Sequence, residues 1–194
     1  MADKIPTVVE TGLLNGGKRS VIDSELGSGS TTFPHYHTGF TETFKLISGS
    51  VKVIVAPEGV KDAEAMKEHV LGIGQQMTVP KHTAHTFLAG EDGCRVLATF
   101  EPASVDFERV MLIMRGLQDA DEYKSWGKGA NEENALLVSI LSELTDTHPL
   151  LARDNEMIEK QDKEAHEKLK NSLIAKYATD DMIKAVVAKN AVSV

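Results

Sequence analysis

Cysteine is almost missing from this sequence, which has Cys94 alone among its 194 residues. An intramolecular disulfide is therefore excluded, and the chain does not need an oxidising compartment in order to fold. Long hydrophobic runs are missing as well, since no stretch approaches the roughly 20 apolar residues that span a bilayer. The N-terminus also lacks the apolar run of a secretory signal. These absences predict a cytoplasmic protein that has no contact with a membrane.

An excess of positive charge is also missing. The chain has 21 basic and 29 acidic residues and a formal net charge of −8, so a general affinity for nucleic acid phosphates or anionic lipid is not expected. Hydrophobic residues make up 41% of the sequence, which is enough to build a core. The length suits one domain of moderate size, or one domain with a substantial appendage.

The first hundred residues have the pattern of short β-strands. Residues 50–55 alternate in polarity and are rich in β-branched side chains, and residues 94–100 are similar. Glycines mark the predicted turns: Gly49 would end one strand, and Gly93 after Asp92 would form a hairpin. Several short strands at this spacing predict an antiparallel sandwich or barrel.

After Pro102 the spacing of apolar residues becomes helical. A helix is predicted over residues 106–117, and Asn131 is a candidate cap for another whose apolar face runs from Leu136 to Leu144. A charged helical segment over 150–177 and a last helix capped by Thr179 complete the prediction. We therefore divide the chain into a β domain over residues 1–103 and a helical extension over 104–194. The extension would pack on the β domain or on a partner subunit.

The candidate site begins at a His-x-His pair, His35 and His37. Residues two apart on a strand face the same side, so both imidazoles can point at one ion. If residues 38–41 form a turn, Glu42 lies on the next strand beside them, and His85 offers a further imidazole. Three imidazoles and a carboxylate suit one divalent transition metal, such as iron, nickel, manganese, cobalt, copper or zinc, and suit calcium poorly. Four protein ligands would leave positions on the metal open.

These residues resemble the cupin superfamily, because their spacing matches both of its signature motifs. The first motif is met by Gly29, His35, His37, Glu42 and Gly49, and the second by Gly74, Pro80 and His85. The resemblance covers about residues 20–102 and implies a mainly β fold, a jelly-roll barrel, with His35, His37, Glu42 and His85 as metal ligands. Two positions depart from the pattern. His82 stands where the family usually has a glycine with positive φ, and Ala89 stands where the second motif often ends in asparagine. The resemblance does not extend to the helical extension.

The resemblance implies a metal-dependent enzyme acting on a small organic molecule, with a dioxygenase similar to the quercetinase-type cupins as the leading hypothesis. Glu42 would be the catalytic base towards a phenolic or enolic substrate. The candidate substrate-binding residues share strand phase with the ligands or lie in the turn near them: Phe33, Phe44, Met77, His82 and Phe87. The apolar ones could instead form the barrel core, and His82 could lie in an exposed turn. The whole chain could instead be a non-redox metal-dependent isomerase, cyclase or decarboxylase, or a non-catalytic small-molecule-binding protein. We expect a homodimer in each case.

Overall fold

The computed structural model describes residues 5–120 and 134–191. The predicted helix cap at Asn131 lies outside these residues. Eight strands are described: β1 Thr7–Glu10, β2 Ser20–Leu26, β3 His35–Tyr36, β4 Thr41–Val55, β5 Lys67–Leu71, β6 Gln76–Val79, β7 His85–Glu101 and β8 His148–Pro149. The helices are α1 Gly12–Asn15, α2 Val105–Asp119, α3 Ala135–Leu144, α4 Ala152–Glu159, α5 Lys163–Tyr177 and α6 Asp180–Ala191. In this part of the chain no helix has both the length and the hydropathy to cross a bilayer.

All the strands pair antiparallel. One path through the sheet runs β1-β2-β7-β3-β8, and β4 pairs with β5, β6 and β7. Within the described residues β1, β5, β6 and β8 each pair with one strand only, so the ladder does not close on itself. The prediction of an antiparallel β fold is thus confirmed, whereas closure into a barrel is not seen in the pairings. Helices account for more described residues than strands. The predicted fold class, mainly β, therefore describes only the first half of the chain.

The two predicted turns at Gly49 and Gly93 are wrong. Both glycines lie inside long strands, β4 and β7. Gly49 pairs with Cys94, the residue after Gly93, where the pairing of these strands shifts register. Gly49 has φ +78° and Gly93 φ +75°, and a Cβ on Gly49 would overlap the carbonyl oxygen of Gly93. A glycine with positive φ occurs in β-bulges as well as in tight turns. The two glycines therefore bend a pair of long strands that the sequence pattern had divided into shorter ones.

The predicted helices are found close to their expected positions. Ser104 begins α2 by accepting a 3.2 Å hydrogen bond from the amide of Phe107, and Thr179 precedes α6. The charged segment predicted over residues 150–177 is divided into α4 and α5 at residues 160–162. The helices pack on the sheet, because one buried cluster joins Val8, Ile22, Phe40, Ala98 and Phe100 to apolar residues of α2, α3 and α5. The division of the chain at residue 103 stays a prediction.

A second buried cluster lies within the sheet and includes Phe44, Leu46, Val51, Val53, Val79 and Val96. The candidate histidines lie between the two clusters. The ring of Phe40, in the cluster beneath the helices, is 4.6 Å from that of His37, and the ring of Phe44, in the cluster within the sheet, is 6.2 Å from that of His85. Apolar packing thus surrounds the candidate site on two sides.

Candidate metal centre

The four candidate ligands lie on, or directly after, β3, β4 and β7, and both β3 and β4 pair with β7. His35 on β3 pairs directly with His85 on β7, and His37 follows two residues later on the same side. Residues 37–40 separate β3 from β4 and bring Glu42, the second residue of β4, back to the histidines. The two-residue period and the intervening turn therefore act as the sequence predicted.

The four side chains form a compact, buried group. His35, His37, Glu42 and His85 are 8%, 3%, 7% and 1% exposed. One nitrogen or oxygen ligand atom from each residue lies within 4.8 Å of the corresponding atoms of the others. The predicted juxtaposition is present, while metal binding by these residues stays a prediction.

Each imidazole is held in one tautomer by a backbone carbonyl. Nδ1 of His35 lies 2.8 Å from the oxygen of Phe33, and Nδ1 of His85 lies 2.9 Å from that of Thr83. Nδ1 of His37 lies 2.9 Å from the oxygen of Asp146. A carbonyl can only accept, so in all three rings the proton of the neutral imidazole is on Nδ1. Nε2 of each ring is then left with a free lone pair, which is the state a metal requires.

The free nitrogens face a carboxylate. Nε2 of His85 is 3.1 Å and Nε2 of His37 is 3.4 Å from Oε2 of Glu42. Burial alone would raise the pKa of Glu42, but in a metal-free site protons on Nε2 of His37 and His85 would donate to the carboxylate and lower its pKa below the usual range. Burial also lowers the pKa of His35 well below its ordinary value, and the neighbouring His85 and His37 lower it further. An ionised carboxylate beside neutral imidazoles is a donor set that fits a divalent transition metal.

The five residues predicted to bind substrate lie in different surroundings. Phe44, Met77 and Phe87 belong to the apolar cluster within the sheet, next to His85. Phe33 is 40% exposed, and its ring centroid is 5.7 Å from that of His35. His82 is exposed in a turn and touches the site through its backbone amide, which donates to the oxygen of His37 at 2.7 Å. Its φ of +60° matches the glycine position that the resemblance assigns to it. A substrate-binding role for these five residues stays a prediction.

One residue at the site was not found from the sequence. Asp146, just after α3, supplies the carbonyl that holds His37, and its carboxylate accepts from the amides of Thr38 and Gly39 at 2.6 Å each. Burial would raise the pKa of Asp146, but the hydrogen bonds of Gly39 and Thr38 lower it, so the carboxylate is charged. The sequence carried one signal. Asp146 follows the apolar helical pattern that ends at Leu144, and aspartate is one of the residues that adopt a positive φ more often than most.

A second group of possible ligands, on α3 and α5, has a structural explanation. It consists of Glu143, His166 and Glu167. The ammonium of Lys170 lies 2.7 Å from Glu143 and 2.6 Å from Glu167 and forms an ion pair with each carboxylate. This group therefore joins two helices as an ion-pair network.

Similarity to known proteins is found in the fold alone. No protein-family model matches the chain, and no curated protein matches it. Solved structures resemble about half of it. KdgF from Halomonas sp. has a TM-score of 0.41 at 18% identity, over 50% of this chain and 78% of its own. An RmlC-like cupin from Shewanella frigidimarina has a TM-score of 0.38 at 24% identity, over 47% and 72%.

A third similar structure is oxalate decarboxylase from Bacillus subtilis, in work on its Mn(II) centres. Its TM-score is 0.42 at 18% identity, over 53% of this chain and 30% of the decarboxylase. The chain thus spans less than a third of that enzyme. Among the similar solved structures, one is described as an RmlC-like cupin and another as a cupin-2 domain protein.

Proposed function

We propose that the chain is a metal-dependent cupin enzyme, built on a jelly-roll barrel, that acts on a small phenolic or enolic substrate as a dioxygenase. The observation that carries the metal site is the orientation of the three imidazoles. Backbone carbonyls fix the Nδ1 protons of His35, His37 and His85, and the free Nε2 atoms of His37 and His85 converge on Oε2 of Glu42. Without a cation, two nitrogen lone pairs would face a carboxylate in a buried site, which is unfavourable.

A bound divalent metal would supply a Lewis-acidic centre with open positions for a substrate oxygen and, for a redox-active metal, for dioxygen. Glu42 would provide the base. Both of its contacts with the imidazoles use Oε2, so Oε1 is the oxygen that would accept the hydroxyl proton of the substrate.

Substrate would reach the site beside Phe33. The four ligands are nearly buried, whereas Phe33 is 40% exposed and its ring contacts that of His35. An aromatic side chain that is open to solvent on one side and touches a ligand on the other suits a flat phenolic ring. Phe44 and Phe87, whose ring centroids are 6.2 Å apart, would exclude water on the inner side next to His85.

The experiment is a turnover test on protein reconstituted separately with iron, nickel, manganese, cobalt, copper and zinc. Each form is incubated with catechols, flavonols and 1,3-diketones, with and without dioxygen, and His37→Ala protein is the control. Substrate-dependent uptake of dioxygen by a reconstituted form would support the dioxygenase. Turnover at the same rate without dioxygen would replace it with an isomerase, cyclase or decarboxylase. Saturable binding with no conversion would make the chain a binding protein.

A further inference from the structure

Asp146 contacts three consecutive residues at the candidate metal centre. Its backbone oxygen is 2.9 Å from Nδ1 of His37. Its Oδ2 accepts from the amides of Thr38 and Gly39 at 2.6 Å each, and its Oδ1 accepts from the hydroxyl of Thr38 at 2.8 Å. One residue thus holds both a ligand and the turn that follows it.

These contacts act on two of the four ligands. The carbonyl keeps the proton of His37 on Nδ1 and fixes the rotation of the ring, so Nε2 points at Glu42. The carboxylate holds residues 38 and 39 of the turn that leads from His37 to Glu42. Two short bonds from amides to a charged acceptor are stronger than neutral ones, and they hold the turn in one conformation. Asp146 therefore influences the distance between His37 and Glu42 without touching the metal.

The backbone at the end of α3 places Asp146 in this position. Its amide donates to the oxygen of Glu143 at 3.0 Å, and the next amide, of Thr147, donates to that of Ser142 at 2.8 Å. Asp146 itself has φ +50°, a left-handed conformation that aspartate, asparagine and glycine tolerate. Asp146, two residues after the end of α3, thus directs its carbonyl and its carboxylate towards residues 37–39.

The residues that follow extend the same contact along the strand of His35. In β8, His148 and Pro149 pair with Tyr36 and His35, and the amide of Leu150 donates to the oxygen of Pro34 at 3.1 Å. Nε2 of His148 lies 2.9 Å from Oδ1 of Asp146, and the imidazole stacks on the ring of Tyr36. Residues 146–150 therefore line one edge of the site.

We propose that Asp146 is a positioning residue of the metal centre, through which the helical part of the chain sets the geometry of His37 and Glu42. This inference rests on the proposed metal site and adds a residue 109 positions from His37 in the sequence. It gives the helical part a role in metal binding in addition to its packing on the sheet.

Two substitutions of Asp146 distinguish the contribution of its side chain from that of its backbone carbonyl. Asp146→Gly keeps the left-handed backbone and the carbonyl to His37 but removes the carboxylate. Asp146→Asn keeps an oxygen for the two amides, and its NH₂ group can donate to the hydroxyl of Thr38. Asp181→Asn is the matched control, since it removes one charge from α6 at a side chain that is 96% exposed.

The measurement is metal affinity, by chelator competition, together with the visible spectrum of the cobalt(II) form and the folding of the metal-free protein. We expect Asp146→Gly to lose affinity by about ten- to a hundredfold, as for other outer partners of ligands, and to have an altered cobalt spectrum. Asp146→Asn should lie within about threefold of the parent and keep its spectrum, because it retains the acceptor for the turn. Asp181→Asn should match the parent.

Equal affinity and an unchanged spectrum in Asp146→Gly would overturn the proposal. Unfolding of its metal-free form would also overturn it, because the role of Asp146 would then be to support the fold. A parent protein that binds no metal would instead remove the proposed function, so the two failures are distinguishable.

Discussion

Glu42 and His85 face each other across 3.1 Å, from Oε2 to Nε2, in a place that water hardly reaches. Nδ1 of His85 already bonds the oxygen of Thr83, so the neutral ring has no proton to offer the carboxylate. The contact is favourable if the imidazole is charged or if a cation is shared between the two residues. A shared cation would also satisfy Nε2 of His35 and His37, whose Nδ1 atoms are bonded in the same way.

Removing one imidazole should release the metal and leave the protein folded. His37→Ala and His85→Ala should each lower metal occupancy strongly, while far-UV circular dichroism remains that of the parent. The two apolar clusters are large enough to hold the fold without an ion. His69→Ala, at an exposed position of β5, is the control and should keep its metal. Loss of structure in both site variants would show a structural metal and would weaken the case for an enzyme.

The Glu42→Gln variant distinguishes the role of Glu42 as a metal ligand from its role as a catalytic base. The substitution keeps the shape of the side chain but loses its charge and basicity. Metal affinity should fall moderately because three imidazoles remain, and turnover should fall much further, by about a hundredfold or more. The comparison has to be made at equal metal occupancy, since loss of metal would imitate a catalytic defect. Full activity in loaded Glu42→Gln protein would rule out the base role.

The local part of the site could be predicted from the sequence, and the distant part could not. His35, His37 and Glu42 are close in the chain, so strand period and one turn are enough to bring them together. Asp146 reaches His37 only through the packing of α3 on the sheet, which no local pattern encodes. Gly49 and Gly93 were misinterpreted for another reason: a positive φ occurs in turns and in bulges, and only the pairing of β4 with β7 distinguishes the two.

Glu108 should contribute strongly to the free energy of unfolding. This carboxylate is fully buried on α2 and accepts from the hydroxyls of Thr11 and Ser20 at 2.5 Å each and from the amide of Gly12 at 2.9 Å. Glu108→Ala would leave these three donors without their acceptor, and we expect a loss of about 3 kcal/mol in denaturant unfolding. Asp106→Ala, at an exposed position of the same helix, is the control. A loss below about 1 kcal/mol would mean that water replaces the carboxylate.

Truncation after Pro102 should expose apolar surface and cause aggregation. The truncation removes the helical residues that cover Ile22, Phe40 and Phe100, and an apolar surface of this kind is not stable in water. It also removes Asp146 and β8 from the edge of the metal centre. Size-exclusion chromatography and metal analysis test this together. A soluble, monomeric and fully metallated truncation would contradict it.

Binding of one divalent transition metal by His35, His37, Glu42 and His85 is the property on which the proposed function depends. It is tested most directly by elemental analysis of the purified full-length chain, before and after reconstitution, beside the His37→Ala and His85→Ala variants. We expect about one transition metal per chain in the parent and strongly reduced occupancy in both variants. A parent protein that contains no metal and takes none up on reconstitution would contradict this expectation.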